Sequence, residues 1–206
     1  MKQGTEEWFE ARRGQITASR FSAVLTNPRA KRDREAGNLS KTAMTYLYEI
    51  MAEVMTGQCR ELSSAALTHG NIYESFAREE YELHTLREVE ECGFIQLEGH
   101  SVGGSPDGLV GNDGIIEIKC PYNTTNHIET LESQEAPKKY IAQIQGNLWV
   151  TGRQWCDYIS FDPRISGDYE ERKIIILRIE RDEDFIEILK NKILKFEEIL
   201  LKKKVK

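Results

Sequence analysis

The fold is decided by residues 105–119, which read Ser-Pro-Asp-Gly-Leu-Val-Gly-Asn-Asp-Gly-Ile-Ile-Glu-Ile-Lys. The Asn-Asp-Gly corner between two apolar arms is strong turn chemistry, so the stretch predicts a β-hairpin. Side chains alternate faces along a strand, which places Glu117 and Lys119 on one face while Ile116 and Ile118 point to the core. The polar face of this hairpin is therefore the first candidate site in the chain.

The register across the turn decides where Asp107 lies. If the loop is centred on Asn112, Asp107 sits directly opposite Glu117; a two-residue turn offsets them by one, and residues 106–108 then have to supply a bulge. In both registers two carboxylates converge with Lys119 beside them. Their oxygens suit Mg²⁺, which prefers one or two carboxylates, several waters and phosphate oxygens. The alternative is a surface hairpin whose charges are merely solvated and paired.

Composition limits the class of protein. The chain of 206 residues has the size of one domain, spanning 1–206, and its 30% charged fraction is typical of a soluble globular protein. No run is long and apolar enough to cross a bilayer, and the first residues do not resemble a signal peptide. The four cysteines lie far apart without a C-x-x-C pair, which predicts neither a zinc site nor an iron–sulfur cluster.

The net charge of -6 is mildly unfavourable for a DNA-binding protein. An acidic protein can nevertheless concentrate its Lys and Arg side chains along one groove, where the local potential attracts a polyanion. Charge alone therefore leaves both DNA binding and simple solubility open.

Periodicity and capping signals predict the elements around the hairpin. Helices are expected at residues 6–13 and 18–25, with Thr5 and Thr17 as N-caps, and residues 27–39 read as a mobile basic loop. Next come a helix that begins after its N-cap Ser40 and ends at Gly57, and a second helix at 63–86. Three strands follow, at 89–97, 101–110 and 115–119. Helices at 126–133 and 137–150, strands at 155–161 and 172–179, and a final helix at 182–201 complete the order.

A few side chains outside the hairpin are candidates for a phosphate or metal site. Arg12 and Ser19 lie beside helix starts, where a guanidinium and a hydroxyl suit an anion, although such arginines more often form a solvated face. Glu74 lies one turn after Gly70 on the same side of its helix. A lone helical Glu is usually solvated, and a lone His such as His69 is usually structural.

The spacing of Pro106-Asp107 and Glu117-Ile118-Lys119 resembles the signature of the PD-(D/E)xK nuclease superfamily. Further motifs narrow the resemblance to the family of phage lambda exonuclease and the YqaJ-type viral recombinase nucleases. They are Trp8, Arg12, Gly14 and Ile16-Thr17-Ala18-Ser19, then Gly70, Tyr73-Glu74, Ser105-Pro106-Asp107-Gly108, Cys120-Pro121, Tyr140-Ile141-Ala142-Gln143-Ile144-Gln145, Trp149-Val150-Thr151 and Asp162-Pro163-Arg164. Several motifs in one order are more specific than the hairpin alone.

The resemblance implies an α/β (α+β) fold with a restriction-endonuclease-like core, in which helices flank a central mixed sheet and extra helices precede it. It also implies that Asp107, Glu117 and the Ile118 carbonyl hold Mg²⁺, for which Mn²⁺ substitutes, and that Asp107 bridges a second ion. Lys119 then orients or deprotonates the attacking water, and Gln143, backed by Tyr140, positions it. The helix-borne acid of the family corresponds to Glu74.

For the DNA end, the resemblance implies a 5′-phosphate pocket made of Arg12, Ser19 and Ser105, with Leu67 near it. Arg29 falls where the family has an arginine on a mobile loop near the end of the duplex. His69 departs from the lambda pattern and resembles a metal-binding histidine of RecB-type nuclease domains, so its role stays open. The loops at 27–39 and 124–135 differ from the family in length and content.

The activity that the resemblance implies is ATP-independent 5′→3′ digestion of duplex DNA from 5′-phosphorylated ends. This digestion leaves a 3′ single strand for a single-strand annealing protein. The same resemblance implies that the protein forms a homotrimeric ring around DNA. It also implies that the protein acts in the cytoplasm of a bacterial or phage-infected cell, without membrane association. Two alternatives remain: a restriction-type or structure-specific endonuclease, and a non-catalytic DNA- or partner-binding module, against which Asp107, Glu117, Lys119 and Gln143 argue.

Overall fold

The computed structural model describes residues 1–59 and 65–204, apart from the side chains of Ala66, Leu67 and Lys204. In chain order, the elements of this part are α1 (Glu6–Arg12), β1 (Ile16–Thr17), α2 (Phe21–Leu25), α3 (Lys31–Glu35), α4 (Lys41–Thr56), α5 (Ala65–Thr85), β2 (Val89–Glu90), β3 (Ile95–Gln96), β4 (Val102–Gly104), β5 (Gly108–Val110), β6 (Gly114–Lys119), α6 (Thr124–Ser133), α7 (Lys138–Thr151), β7 (Trp155–Phe161), β8 (Ile174–Glu180) and α8 (Glu183–Lys204). Short 3₁₀ turns lie at Ala18–Arg20 and Gly167–Arg172.

The described strands form two mixed sheets. The larger sheet has the order β2-β5-β6-β7-β8, with β6 and β7 parallel and the other neighbours antiparallel. The smaller sheet has the order β1-β4-β3, with β1 parallel to β4. Helices flank these sheets and α1 to α5 precede the larger one, so the predicted mixed α+β fold class is confirmed.

Strand β6 lies at the centre of the larger sheet and is covered on both faces. Ile116 and Ile118 pack with Ala77 and Tyr81 of α5 on one face. Ile115 packs on the other face against α7, which carries the buried side chains Ile144 and Leu148. The parallel pair β6–β7 requires a crossover, and this crossover places α7 over the sheet. The face predicted to be polar is therefore buried.

Two predicted strands are each divided between the sheets. Residues 89–97 form β2 and β3, and residues 101–110 form β4 and β5, so each segment leaves one sheet and joins the other. Pro106 lies between β4 and β5, where the chain passes from one sheet to the other. Proline has no backbone N–H to continue a strand ladder, so it suits this position. Its carbonyl instead accepts hydrogen bonds from Gln3 Nε2 at 2.8 Å and from Cys92 Sγ at 3.2 Å.

The N-terminal elements differ in part from the prediction. The Thr5 hydroxyl caps α1 by accepting the Trp8 amide, as predicted, but Thr17 makes no side-chain cap and the 3₁₀ turn Ala18–Arg20 precedes α2. Residues 27–39, predicted to be a loop, contain α3. The predicted start of the 63–86 helix lies outside the described residues. No helix of the described part is long and apolar enough to cross a membrane.

Candidate active site

Asp107 immediately precedes β5 and lies beside β6, the strand that carries Glu117. Gly108 pairs with Ile116 and Val110 with Gly114, which centres the turn on Asn112 as one of the two predicted registers requires. The Asp107 amide donates to the Ile116 carbonyl at 3.1 Å. The β5–β6 pairing confirms the turn centred on Asn112, while the Asp107 bond lies one residue out of the register of that ladder, so the chain departs from regular pairing just before β5.

The Asp107 carboxylate also binds the backbone of β6. Its Oδ2 accepts a hydrogen bond from the Ile118 amide at 2.6 Å. Because β5 begins only at Gly108, the carboxylate serves as the acceptor that a longer strand would have provided to Ile118. This bond holds one Asp107 oxygen against the backbone of Ile118, whose carbonyl is predicted to be another ligand of the metal.

Three side chains donate to the carboxylate of Glu117, which is 0% exposed. Its Oε1 accepts from Lys119 Nζ, in an ion pair, and from Gln143 Nε2 at 2.6 Å. Its Oε2 accepts from Asn147 Nδ2 at 3.3 Å. Since an ionised carboxylate is stable in a protein interior only when it is paired and hydrogen-bonded, this set of donors accounts for its burial.

Tyr140 closes the site beside Lys119. The Lys119 ammonium lies 5.2 Å from the centre of the Tyr140 ring, and Lys139 lies 4.9 Å from the same centre. The ring stacks on Tyr158 of β7 at a centroid distance of 5.8 Å. Cations over an aromatic face are attracted to it, so Tyr140 and Glu117 hold the Lys119 ammonium between them.

The carboxyl groups of the site have raised pKa values. Burial is the main cause for Glu117, whose pKa is raised to about 7, and the Asp107 charge adds to this against the Lys119 ammonium. Burial also raises the pKa of Asp107, although Lys119 and the Ile118 amide oppose it. Burial lowers the pKa of Lys119, but the Glu117 and Asp107 carboxylates outweigh it and raise that pKa above its usual value. Burial therefore disfavours the charged form of both carboxyl groups, and the Lys119 ammonium opposes this effect.

Glu74 of α5 belongs to the same electrostatic group. Burial, followed by the negative charge of Asp107, raises the pKa of Glu74 to about 7. Its Oε1 accepts from Arg78 Nη2 at 3.1 Å, and Arg78 Nη1 contacts Glu91 at 2.6 Å. Arg78 was not among the predicted site residues, although it follows Glu74 at the i+4 spacing of a helix face.

The predicted phosphate pocket is assembled only in part. Arg12 Nη1 donates to the Ser105 hydroxyl at 3.2 Å, and Trp8 Nε1 donates to the same oxygen at 3.0 Å. The Arg12 guanidinium also stacks over the Trp8 ring at 4.1 Å. Ser19 is exposed, and its hydroxyl lies 3.3 Å from that of Thr17 rather than in this cluster.

Two further DNA contacts, Arg29 and Leu67, were predicted from the resemblance. Arg29 is exposed on the segment that precedes α3, where its carbonyl accepts from Arg34 Nη1 at 2.6 Å. Leu67 lies in α5, but its side chain is outside the described part of the structure. Their proposed roles at the DNA end stay predictions.

His69 lies in an aromatic row. Its ring meets Tyr73 at 4.7 Å and Tyr122 at 5.6 Å, both edge-on, and its Nε2 is buried without a hydrogen-bond partner. Among the described residues, no three His, Cys, Asp or Glu side chains are grouped closely enough to hold a metal ion. Within the described part of the chain, the structure therefore adds no ligand set around His69, and its metal role stays a prediction. For a metal ion, Asp107 and Glu117 remain the available carboxylates.

Arg164 fixes the segment that follows Lys119. It donates to both carboxylate oxygens of Asp162, at 2.8 and 2.7 Å, and Asp162 is fully buried. It also donates to the carbonyls of Tyr122 and Pro121, each at 3.0 Å. The Asp-Pro-Arg motif thus ties the end of β7 to the chain just beyond β6.

Comparison with known proteins assigns the chain to a family. The model of the YqaJ-like viral recombinase domain matches residues 7–154, which include every predicted site residue. The chain belongs to this family. The resemblance read from the sequence motifs is thereby confirmed.

Three solved structures of two proteins show how far the YqaJ-like chain follows known folds. It is similar to an alkaline exonuclease from Laribacter hongkongensis, with 36% identity, a TM-score of 0.85, and coverage of 97% of this chain and 94% of that one. A crystal structure of this exonuclease with dAMP matches at 37% identity and the same TM-score. A phage-related exonuclease from Haemophilus somnus 129PT shares the fold at 21% identity, a TM-score of 0.74, and coverage of 90% and 93%.

A curated relative is much longer. The uncharacterized protein R354 of Acanthamoeba polyphaga mimivirus is 26% identical over 175 residues, which are 77% of this chain and 29% of the relative. The YqaJ-like chain therefore spans less than a third of that relative.

Proposed function

We propose that the protein is a Mg²⁺-dependent, ATP-independent exonuclease that digests duplex DNA in the 5′→3′ direction from 5′-phosphorylated ends. The observation that carries this proposal is the convergence of Asp107, Glu117 and Lys119 on one strand pair, with Gln143 bonded to the same carboxylate. Family membership and the similarity to an alkaline exonuclease support the nuclease part of the proposal.

The donor set fits Mg²⁺. Asp107 and Glu117 supply two carboxylates, and the Ile118 carbonyl comes from the residue between Glu117 and Lys119. Mg²⁺ commonly binds through one or two carboxylates and keeps several waters, so a third acidic ligand is not required. Asp107, Glu117 and the Ile118 carbonyl would hold Mg²⁺, which would supply a water of lowered pKa and offset the negative charge that develops at phosphorus.

The remaining residues orient the reactants. Lys119 lies within contact of the Glu117 carboxylate, where its ammonium can bind the attacking water or a phosphate oxygen but cannot ligate a cation. The Gln143 amide can bond either to Glu117 or to the attacking water. The Tyr140 ring limits the positions that the Lys119 ammonium can take. Glu74, with a pKa of about 7, is the acid that can give or take a proton near neutral pH.

End selectivity is proposed to come from Arg12 and Ser105. Their hydrogen bond places a guanidinium and a hydroxyl two residues from Asp107, where a terminal phosphate would leave the next phosphodiester near the carboxylates. Ser19 is proposed to complete this pocket when DNA is bound, with Leu67 and Arg29 at the end of the duplex. His69 is kept as a candidate ligand of the metal.

The product and the partners follow from the same proposal. Digestion of one strand leaves a 3′ single strand, which a single-strand annealing protein would bind, in keeping with a viral recombinase domain. A homotrimeric ring around DNA and action in the cytoplasm of a bacterial or phage-infected cell are proposed with it.

The deciding experiment uses linear duplex DNA labelled at one end, with Mg²⁺ and without ATP. Loss of label from the 5′ end, faster on 5′-phosphorylated than on 5′-hydroxyl ends, supports the proposal. Loss from the 3′ end contradicts the polarity. Nicking of closed circular DNA indicates an endonuclease instead, and intact DNA in both Mg²⁺ and Mn²⁺ indicates a non-catalytic module.

A further inference from the structure

Asn147 lies on α7 one turn after Gln143 and is 1% exposed. Its Nδ2 donates to Glu117 Oε2 at 3.3 Å, while Lys119 and Gln143 both donate to Oε1. Asn147 is therefore the side chain that binds the carboxylate oxygen left free by the other two donors. No part of the nuclease mechanism proposed above uses it.

The orientation of the Asn147 amide is set by Glu117. Its other atom, Oδ1, is buried and has no hydrogen-bond partner. Turning the amide over would place Oδ1 against the carboxylate oxygen, where two acceptors repel. Buried polar atoms without partners are rare in native proteins and concentrate where a side chain serves a function rather than stability.

The backbone of β4 holds the amide from the opposite side. A Cβ atom at Gly104 would lie 2.2 Å from Asn147 Oδ1 and 3.2 Å from the Cβ of Ala18. Only glycine leaves room for this close approach. With Gly104 on one side and Glu117 on the other, the amide has no freedom to turn away from the carboxylate.

We propose that Asn147 is a positioning residue that fixes the Glu117 carboxylate from its buried side. It holds Oε2 so that Oε1 stays directed toward Lys119 and Gln143. The inference rests on the proposed Mg²⁺ site at Asp107 and Glu117. Asn147 touches neither DNA nor the reacting atoms, and it acts only through Glu117.

The test compares Asn147→Leu, which keeps the volume and loses the donor, with a matched control on the same helix. Gln145 is also a buried amide of α7, but it donates to the Glu180 carbonyl and accepts from the Asp182 amide, both at 2.9 Å and away from Glu117. Gln145→Leu therefore reproduces the loss of a buried amide without touching the site. Each variant is compared with the wild type by calorimetric titration of Mg²⁺ without DNA, and by kcat and KM on linear duplex DNA.

Loss of a partner that orients a metal ligand typically costs about tenfold to a hundredfold in metal affinity or activity. We expect Asn147→Leu to weaken Mg²⁺ binding and lower kcat within that range, with KM for DNA changed by less than about twofold. Gln145→Leu is expected to alter stability but neither constant by more than about twofold. If Asn147→Leu does not fold, Asn147→Ala removes the same donor with less crowding and carries the same expectation.

Wild-type Mg²⁺ affinity and kcat in a folded Asn147 variant overturn the inference. So does an equal loss of Mg²⁺ affinity in Gln145→Leu, because that result assigns the effect to packing of α7. Failure of the proposed function is seen separately, as a wild-type protein that does not cleave DNA. In that case the calorimetric comparison still decides whether Asn147 supports a cation site at Glu117.

Discussion

Asp107 lies close enough to Glu117 for its charge to raise the pKa of that carboxyl, because Gly108, the next residue, pairs with Ile116 in a hairpin whose turn is centred on Asn112. A shift of this register by one residue would send Glu117 to the α5 side of the sheet and Ile116 to the α7 side. The pairing of one short hairpin therefore decides whether two carboxylates meet at all.

Removing either charge is expected to stop cleavage. Asp107→Ala and Glu117→Ala each take away a charged oxygen ligand, so Mg²⁺-dependent digestion should fall below detection while binding of DNA without metal persists or strengthens. Gel-based cleavage and DNA-binding assays in parallel measure both effects. Cleavage near the wild-type rate in one of these variants rejects that residue as a ligand.

Loss of the Lys119 ammonium is expected to reduce turnover more than metal affinity. In Lys119→Ala, we expect kcat to fall about 10²- to 10⁴-fold, the range for a group that acts on a proton or a developing charge. The Mg²⁺ concentration at half-maximal activity should move far less, because an ammonium cannot ligate a cation. A large shift of that midpoint with an unchanged maximal rate would assign Lys119 to metal binding through Glu117.

Arg12→Ala is expected to discriminate between DNA ends. Charge-assisted hydrogen bonds contribute about 1.5–3 kcal/mol each, so the variant should lose about tenfold to a hundredfold in kcat/KM on 5′-phosphorylated ends. On matched 5′-hydroxyl ends the loss should be small, because no terminal charge is present. Equal losses on both ends, dependent on salt, would reduce Arg12 to a general surface attraction.

Arg164→Ala is expected to destabilise the protein by about 1–3 kcal/mol, because it removes the guanidinium that pairs with the buried Asp162 carboxylate and leaves only neutral donors there. Arg172→Ala is the matched control: this arginine pairs with Glu132 on the surface and should cost less than about 1 kcal/mol. Urea unfolding measures both. Equal costs for the two variants would show that the Asp162 pair carries no special weight.

In the metal-free protein, Glu74→Gln should raise the free energy of unfolding by an amount that depends on pH. The pKa of Glu74 is raised from 4.5 to about 7 in the folded protein, so the folded state favours the neutral acid. This contribution is complete below pH about 4.5 and is lost as the pH rises through about 7. The glutamine, which stays neutral, should therefore match the wild type at acidic pH and exceed it in stability above pH 7.

Urea unfolding in the presence of a chelator, at a series of pH values, measures this gain. Glu79→Gln, on the exposed side of the same helix, controls for the loss of one negative charge. A Glu74→Gln gain that is the same at all pH values would contradict the raised pKa.

Local sequence rules were sufficient for several parts of the site. Alternation along a strand put Glu117 and Lys119 on one face, turn chemistry indicated the hairpin, and the i+4 spacing on α7 would have added Asn147 to Gln143. Family motifs brought Arg12 and Ser105 into one pocket, and the structure joins them by a hydrogen bond. The roles of these residues, and the single domain over 1–206, stay predictions.

Most helices and strands, and the chemistry of the hairpin, could be derived from the sequence alone, because these depend on residues that are neighbours along the chain. Tertiary structure alone decided that β6 is central, that α7 buries Glu117, and that residues 89–97 and 101–110 are shared between two sheets. It also placed Arg78 beside Glu74 and Gly104 against Asn147. These features depend on which distant elements pack together, and no local pattern of side chains encodes that choice.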